Sequence, residues 1–218
     1  MNYRNILIIC ALTTTAISNA NIIKNGSFED LPNALDNSQP WRYFSNEIDG
    51  WYSDAMFKGQ KLSDRPLIEV GQAWVYGVTG QAGKNVLELD SNENSKISQN
   101  VSHIDSHDYY KLSFLAARRA NTSIETNAFE VLWDDKLIAT IDPVSTQMNE
   151  YSFTFKGDRR EGKLSFLATG TSDSYGGIID SVSMSDIGCK NQPVPEPGTI
   201  AALGLGLVGF VFRRRTKA

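Results

Sequence analysis

Tyr109-Tyr110-Lys111-Leu112-Ser113-Phe114-Leu115-Ala116-Ala117 decides the fold class. Tyr110, Leu112, Phe114 and Ala116 recur at every second position, which places them on one face of an extended strand. The same period returns in Phe129, Val131 and Trp133, in Tyr151, Phe153 and Phe155, and in Leu164, Phe166 and Ala168. Leu67–Val70, Val86–Asp90 and Lys96–Val101 are further strand candidates. Asp134-Asp135-Lys136, between Phe129–Trp133 and Leu137–Ile141, predicts a hairpin turn. Gly, Asn, Asp and Ser punctuate these stretches, and Leu31–Gln39 predicts a loop. Between the chain ends no long helical period and no internal repeat is found. Strands this numerous, each with one face to bury, predict an all-β chain closed into a two-sheet β-sandwich.

The two ends have a different composition. Arg4, an apolar stretch Ile6–Ile17 and the small residues of Ser18-Asn19-Ala20 predict an export signal over residues 1–20, cleaved after Ala20. At the other end, Pro193-Val194-Pro195-Glu196-Pro197-Gly198 precedes an apolar run, Thr199–Phe212, and then Arg213-Arg214-Arg215-Thr216-Lys217. The 14 apolar positions are fewer than the roughly 20 that span a bilayer, and Gly204, Gly206 and Gly209 weaken them as a permanent helix. The basic end stays cytoplasmic by the positive-inside rule. The domain organisation expected is a signal peptide (1–20), a β-sandwich domain (21–188), a linker with the Pro-Glu-Pro motif (189–197) and a short transmembrane tail (198–218).

Loss of both ends changes the charge. Five of the 21 basic residues (Arg4, Arg213, Arg214, Arg215, Lys217) and one of the 25 acidic residues (Glu196) lie there, so residues 21–192 carry 16 basic and 24 acidic residues, near −8. Such an acidic domain without a basic stripe argues against nucleic acid. It is compatible with neutral polysaccharide or with cations. Cys10 leaves with the signal, so Cys189 is alone, reads as a free thiol in the linker, and closes no internal disulfide. The fold stands on its core.

The tripartite tail resembles the PEP-CTERM sorting signal of Gram-negative bacteria. That resemblance implies recognition at Pro195-Glu196-Pro197 by a membrane protease-transpeptidase of the exosortase type, passage through the inner membrane, and delivery to the cell surface or an exopolysaccharide matrix. A second resemblance runs along the domain: Asn21-Ile22-Ile23-Lys24-Asn25-Gly26-Ser27-Phe28-Glu29, then Gly50-Trp51, Val86-Leu87-Glu88-Leu89-Asp90, Ile97-Ser98-Gln99-Asn100-Val101, Tyr110-Lys111-Leu112-Ser113-Phe114 and Gly177-Ile178-Ile179-Asp180-Ser181-Val182-Ser183-Met184. In that order they are similar to galactose-binding-like jelly rolls, among them carbohydrate-binding modules and a plant cell-wall domain family of unassigned function. The resemblance implies a jelly roll whose first strand, Asn21–Glu29, lies near its last.

Candidate site residues follow. With a period of two, Ile178, Asp180, Val182 and Met184 share one face, so Asp180 is a carboxylate in an apolar stripe and needs a partner. Glu29 would be near it by the resemblance, and in related carbohydrate-binding modules the corresponding Glu and Asp hold a structural calcium. Two carboxylates with backbone carbonyls suit Ca²⁺; the alternatives are backbone N–H donors or a Lys or Arg partner. Among the aromatic residues Trp41, Trp51, Trp74, Tyr76, Trp133 and Tyr175, Trp51 and Trp133 read as core. Trp74 and Tyr76, alternating on one face of a Gly-flanked edge, and Tyr175, in the polar loop Thr169–Gly177, read as platforms for a sugar ring.

No catalytic constellation is evident. His103 and His107 fall in a polar segment, Ser102–Asp108, and read as a solvated loop. No nucleophile elbow, phosphate loop or zinc spacing occurs. Glu69, Glu88 and Glu130 are carboxylates that could pair across strands, as glycoside hydrolysis would need, but they read as outward, solvated acids. The function expected is a non-catalytic glycan-binding or structural protein of the surface or matrix. The alternative is a small jelly-roll polysaccharide hydrolase or lyase.

Overall fold

The computed structural model describes residues 20–188, apart from 46, 55, 58–59 and 62–66. The expected signal peptide, the linker with Cys189, the Pro195-Glu196-Pro197 motif and the tail therefore lie outside the described residues. The strands are β1 (Trp41–Ser45), β2 (Glu47–Ile48), β3 (Trp51–Asp54), β4 (Met56–Phe57), β5 (Gln60–Lys61), β6 (Leu67–Gln72), β7 (Asn85–Glu88), β8 (Lys96–Ser102), β9 (Tyr109–Ala117), β10 (Phe129–Trp133), β11 (Lys136–Ile141), β12 (Asn149–Lys156), β13 (Glu161–Ala168) and β14 (Ile178–Gly188). Among the described residues the helical elements are two short 3₁₀ turns, Ala73–Val75 and Ile124–Thr126.

The strands form two antiparallel six-stranded sheets. The first has the order β1-β6-β7-β14-β9-β12 and the second β11-β10-β13-β8-β3-β2, with β4 and β5 as a separate hairpin. This is the all-β jelly-roll sandwich. The period-two residues meet between the sheets: Tyr110, Leu112, Phe114 and Ala116 of β9 face Phe129 and Val131 of β10 and Leu164 and Phe166 of β13. Phe114 and Phe166 pack edge-to-face, ring centres 5.2 Å apart. The β10–β11 turn falls where expected, with Asp134 and Asp135 both at positive φ (49° and 59°), the backbone that a two-residue hairpin requires.

The amino-terminal segment differs from expectation. Asn21–Glu29 forms no strand ladder. Asn25 (φ 44°) and Phe28 (φ 56°) turn the chain, because Asn25-Gly26-Ser27 is turn chemistry. The segment still lies along β14, with the Ile22 N–H donating to the Met184 carbonyl (2.9 Å) and the Val182 N–H to the Gly26 carbonyl (2.8 Å). The turn sends Phe28 into the core against Trp51, whose indole N–H donates to the Lys24 and Asn25 carbonyls. Trp51 and Trp133 are both core residues.

Candidate functional site

The outer face of the first sheet is covered over β6, β7 and the start of β14, and that positions the site. In β6, β7 and the residue that follows β7, Ile68, Val70, Leu87 and Leu89 enter the core, so alternation sends Glu69, Gly71, Val86 and Glu88 outward. The segment after β6 folds back over this face. Ala73, Tyr76 and Val78 pack there with Val86, Ala117, Met148 and Ile178 as a second apolar cluster. Gly71 makes this possible, since a Cβ at that position would lie 2.5 Å from the Tyr76 hydroxyl.

Under this cover sits a polar group of four. Glu69 and Glu88 are direct partners across β6 and β7. The Tyr76 hydroxyl donates to Glu69 Oε1 (3.1 Å). Arg119 Nη1 reaches both oxygens of Glu88, at 2.6 Å each, and the Gly176 N–H donates to Glu88 Oε1 at 2.9 Å. The Arg119 guanidinium lies between two rings, 5.0 Å from the centre of Tyr76 and 4.5 Å from that of Tyr175. Above it opens a cavity of about 320 Å³, lined by Trp74, Tyr76, Arg119, Asn121, Thr122 and Tyr175 among others. Trp74 also walls a neighbouring cavity of about 580 Å³.

Burial sets the electrostatics. It pushes the Glu88 carboxyl up to about 9, assisted by the charge of Glu69 and opposed by Arg119. Glu69 is raised by burial as well. Two carboxyls in this contact hold one proton between them at neutral pH, and that proton belongs to the pair. Burial likewise carries the Tyr76 hydroxyl well above its ordinary value.

The structure places the sequence-selected residues as follows. Trp74 is 62% exposed and Tyr175 45% exposed, and both line the cavity. Tyr76 lines it too, but its side chain is buried (1% exposed). Trp74 and Tyr76 do not alternate on a strand edge: the 3₁₀ turn Ala73–Val75 raises Trp74 outward and folds Tyr76 under Arg119. Gln72 fixes the indole by accepting its N–H at 2.7 Å. Trp41 and Tyr43 are exposed on β1, ring centres 5.2 Å apart.

Glu69 and Glu88 are corrections. They face outward as expected, yet Glu69 is 5% and Glu88 0% exposed, because the turn after β6, Arg119 and the loop before β14 cover them. Glu130 is half-buried. Arg119 is not marked as a site residue by the local sequence. Its only signal is a cation at the end of the long apolar strand Tyr109–Ala117, and nothing local says what it pairs with.

Asp180 is a second correction. Ile179, Val182 and Met184 are in the core, whereas Ile178 packs in the outer cluster. A bulge between Asp180 and Ser183, with Ser181 at φ 52°, shifts the period by one, so Asp180 shares the outer face with Ile178 and not a stripe with Val182. Its Oδ2 accepts the Ala82 N–H at 2.8 Å and its Oδ1 the Ser181 N–H. Burial raises its carboxyl to about 6, and the charge of Glu29 adds to this. Glu29 Oε1 accepts the Lys84 and Asn85 N–H groups at 2.6 and 2.9 Å. The two carboxylates thus grip one loop, Ala82–Asn85, from two sides. Gly83 (φ 82°) is obligatory there, because a Cβ would lie 2.3 Å from Glu29 Oε1. Among the described residues no three His, Cys, Asp or Glu side chains are grouped for a metal.

An all-β sandwich with an aromatic-walled cavity on the covered face of one sheet defines the class. The chain belongs to the family described as "Protein of unknown function (DUF642)", whose profile matches residues 21–185. The PEP-CTERM protein-sorting motif matches residues 193–215. Multifunctional-autoprocessing repeats-in-toxin proteins of Vibrio cholerae and Vibrio vulnificus are 28% identical to it over 109 residues, which is 50% of this chain and 2% of theirs. Among solved structures it is similar to the carbohydrate-binding module TmCBM61 in complex with β-1,4-galactotriose (15% identity, 77% of this chain and 99% of that one, TM-score 0.48). It is also similar to a family 35 carbohydrate-binding module from Clostridium thermocellum (14% identity, 66% and 90%, TM-score 0.38).

Proposed function

We propose that this protein is exported, processed by an exosortase through Pro195-Glu196-Pro197, and retained at the cell surface or in the exopolysaccharide matrix as a non-catalytic glycan-binding protein. One observation carries the reading: Trp74 and Tyr175 present exposed rings around a cavity of about 320 Å³ floored by Arg119. The apolar face of a sugar ring stacks on such a surface, while nearby polar groups fix its hydroxyls. Only Nη1 of Arg119 is engaged by Glu88, so Nε and Nη2 are left as donors, and Asn121 and Thr122 line the same cavity. Trp74 lies between two cavities, which suits a chain longer than one sugar.

The hydrolase or lyase alternative needs two carboxyls set apart across a scissile bond. Glu69 and Glu88 are adjacent cross-strand partners beneath Arg119, neither lines the cavity, and Glu88 is closed to any ligand. That supports binding over cleavage.

Affinity electrophoresis through the producing organism's exopolysaccharide tests the site. Trp74→Ala and Tyr175→Ala should abolish retardation, and unaltered retardation in both would remove this cavity from consideration. Mass spectrometry of the mature carboxyl terminus tests the sorting step; a protein uncut near Pro195 counts against it.

Calcium at Glu29 and Asp180 is a further part of the proposal. Neither carboxylate forms an ion pair with Lys or Arg among the described residues, and Glu29 Oε2 is left free by the amides. Melting with EDTA and with added calcium tests it, and a Glu29→Gln/Asp180→Asn protein that responds to calcium as the parent does would exclude it.

A further inference from the structure

Arg119 is held so that one of its edges is left for a ligand. The guanidinium lies between the Tyr76 and Tyr175 rings, at 5.0 and 4.5 Å, so its hydrogen bonds run in its own plane. Nη1 is engaged by both oxygens of Glu88, at 2.6 Å each. Glu88 is in turn fixed by the Gly176 N–H. Among the described residues Nε and Nη2 meet no acceptor, yet neither is closed to water. Together they form a fork of two parallel N–H donors.

The rest of the cavity adds no competing charge. Arg119 is the one charged residue in its lining, which contains no Asp, Glu or Lys. Several polar groups of the wall are already committed. The Trp74 indole N–H donates to Gln72, the Tyr76 hydroxyl to Glu69 and the Thr122 hydroxyl to the Arg119 carbonyl. Asn121, exposed and held at φ 60°, supplies an amide to the same cavity.

This chemistry discriminates between sugars. A neutral sugar hydroxyl brings a proton that needs an acceptor, and a guanidinium has none. An ionised carboxylate only accepts, and its two oxygens match the fork in spacing and in plane. Residues 21–192 are acidic overall, with 16 basic and 24 acidic residues. At physiological salt, however, charges beyond about 8 Å are largely screened, so the cation inside the cavity decides.

We infer that the Arg119 cavity selects acidic polysaccharide, taking the carboxylate of a uronic acid residue on Nε and Nη2 while Trp74 and Tyr175 carry the sugar rings. This rests on the cavity being a glycan site and names the class of glycan. It also gives the buried Glu88 a task, which is to set the plane of the guanidinium so that the free edge faces the cavity.

The test is affinity electrophoresis of the intact protein in detergent at about 0.15 M salt, where long-range repulsion is screened. The probes are the producing organism's exopolysaccharide, polygalacturonate and alginate, each before and after reduction of its carboxyl groups, and a sulfated galactan. The parent should bind uronate polymer at least about tenfold more tightly than the reduced form, the scale of a hydrogen bond to a charged group. Trp74→Ala should lose both forms. Arg119→Lys keeps a cation on Glu88 but has no fork, and should lose only the difference between them. Where Arg119→Lys does not fold, the Nε–H resonance of Arg119 in the parent's NMR spectrum decides: it should move with uronate and stay with the reduced polymer. Equal retardation before and after reduction overturns this inference and leaves the glycan-binding reading standing. Retardation by none of the probes removes both. An Arg119→Lys protein that keeps the preference, or sulfated galactan bound as tightly as the uronates, also overturns carboxylate selection by Arg119.

Discussion

Replacement of Arg119 by methionine probes the buried carboxyl pair most directly. Methionine keeps an unbranched apolar stem between Tyr76 and Tyr175 but removes the cation. Two losses follow. Glu88 loses both 2.6 Å bonds and the charge that offsets its burial beside Glu69. Breaking a buried ion pair from one side costs about 3–5 kcal/mol. The two cation–ring contacts, at 5.0 and 4.5 Å, add about 1 kcal/mol. Proton uptake limits the damage: the pair already holds one proton, and without Arg119 it takes a second, so the net loss should be about 3 kcal/mol at pH 7. Urea unfolding of the intact protein, followed by tryptophan fluorescence, measures it. The loss should be smaller at pH 5, where the second proton is easier to bind. Glu88→Gln introduced into Arg119→Met should restore at least half, because the amide needs no counter-charge. An Arg119→Met protein within about 0.5 kcal/mol of the parent, or a double variant no better than the single one, would refute the reasoning.

Stability should fall as pH rises from about 5 to 9, read as melting temperature. Asp90 and Asp180 (each raised to about 6 from 3.8) and Glu88 (raised to about 9 from 4.5) all bind protons more tightly when folded. Their contribution is therefore complete below their unfolded values, declines through pH 6 as the two aspartates ionise, and declines again towards pH 9. A melting temperature that rises over that window contradicts this. Gly162→Ala should cost about 1–3 kcal/mol in urea unfolding, since its Cβ would lie 2.0 Å from Trp133 Cζ2 in the core. Tyr76→Phe removes one buried hydrogen bond to Glu69 and should cost about 1 kcal/mol, whereas Trp74→Ala, at an exposed ring, should leave stability within about 0.5 kcal/mol. Equal losses in those two variants would argue against the division into support and platform.

What the amino-acid sequence determined by itself is the all-β sandwich, its core and the sorting motif at residues 193–215. Period-two patterning is a property of the strand, so Tyr110, Leu112, Phe114 and Ala116 declare a buried face without reference to any partner. The Asp134-Asp135 turn and the place of Trp51 and Trp133 in the core were legible for the same local reason, as was the outward direction of Glu69 and Glu88. Only the tertiary structure decided what covers that outward face. Gly71 admits the Tyr76 ring, Arg119 arrives from the end of β9, and Gly176 arrives from the loop before β14, all from distant parts of the chain. The bulge at Ser181 was equally hidden, because nothing in the run Ile178–Met184 marks a slip of one residue until the neighbouring strand fixes the register. Alternation tells a side chain which face to take, but whether that face meets water or another segment depends on chain that is close only in space.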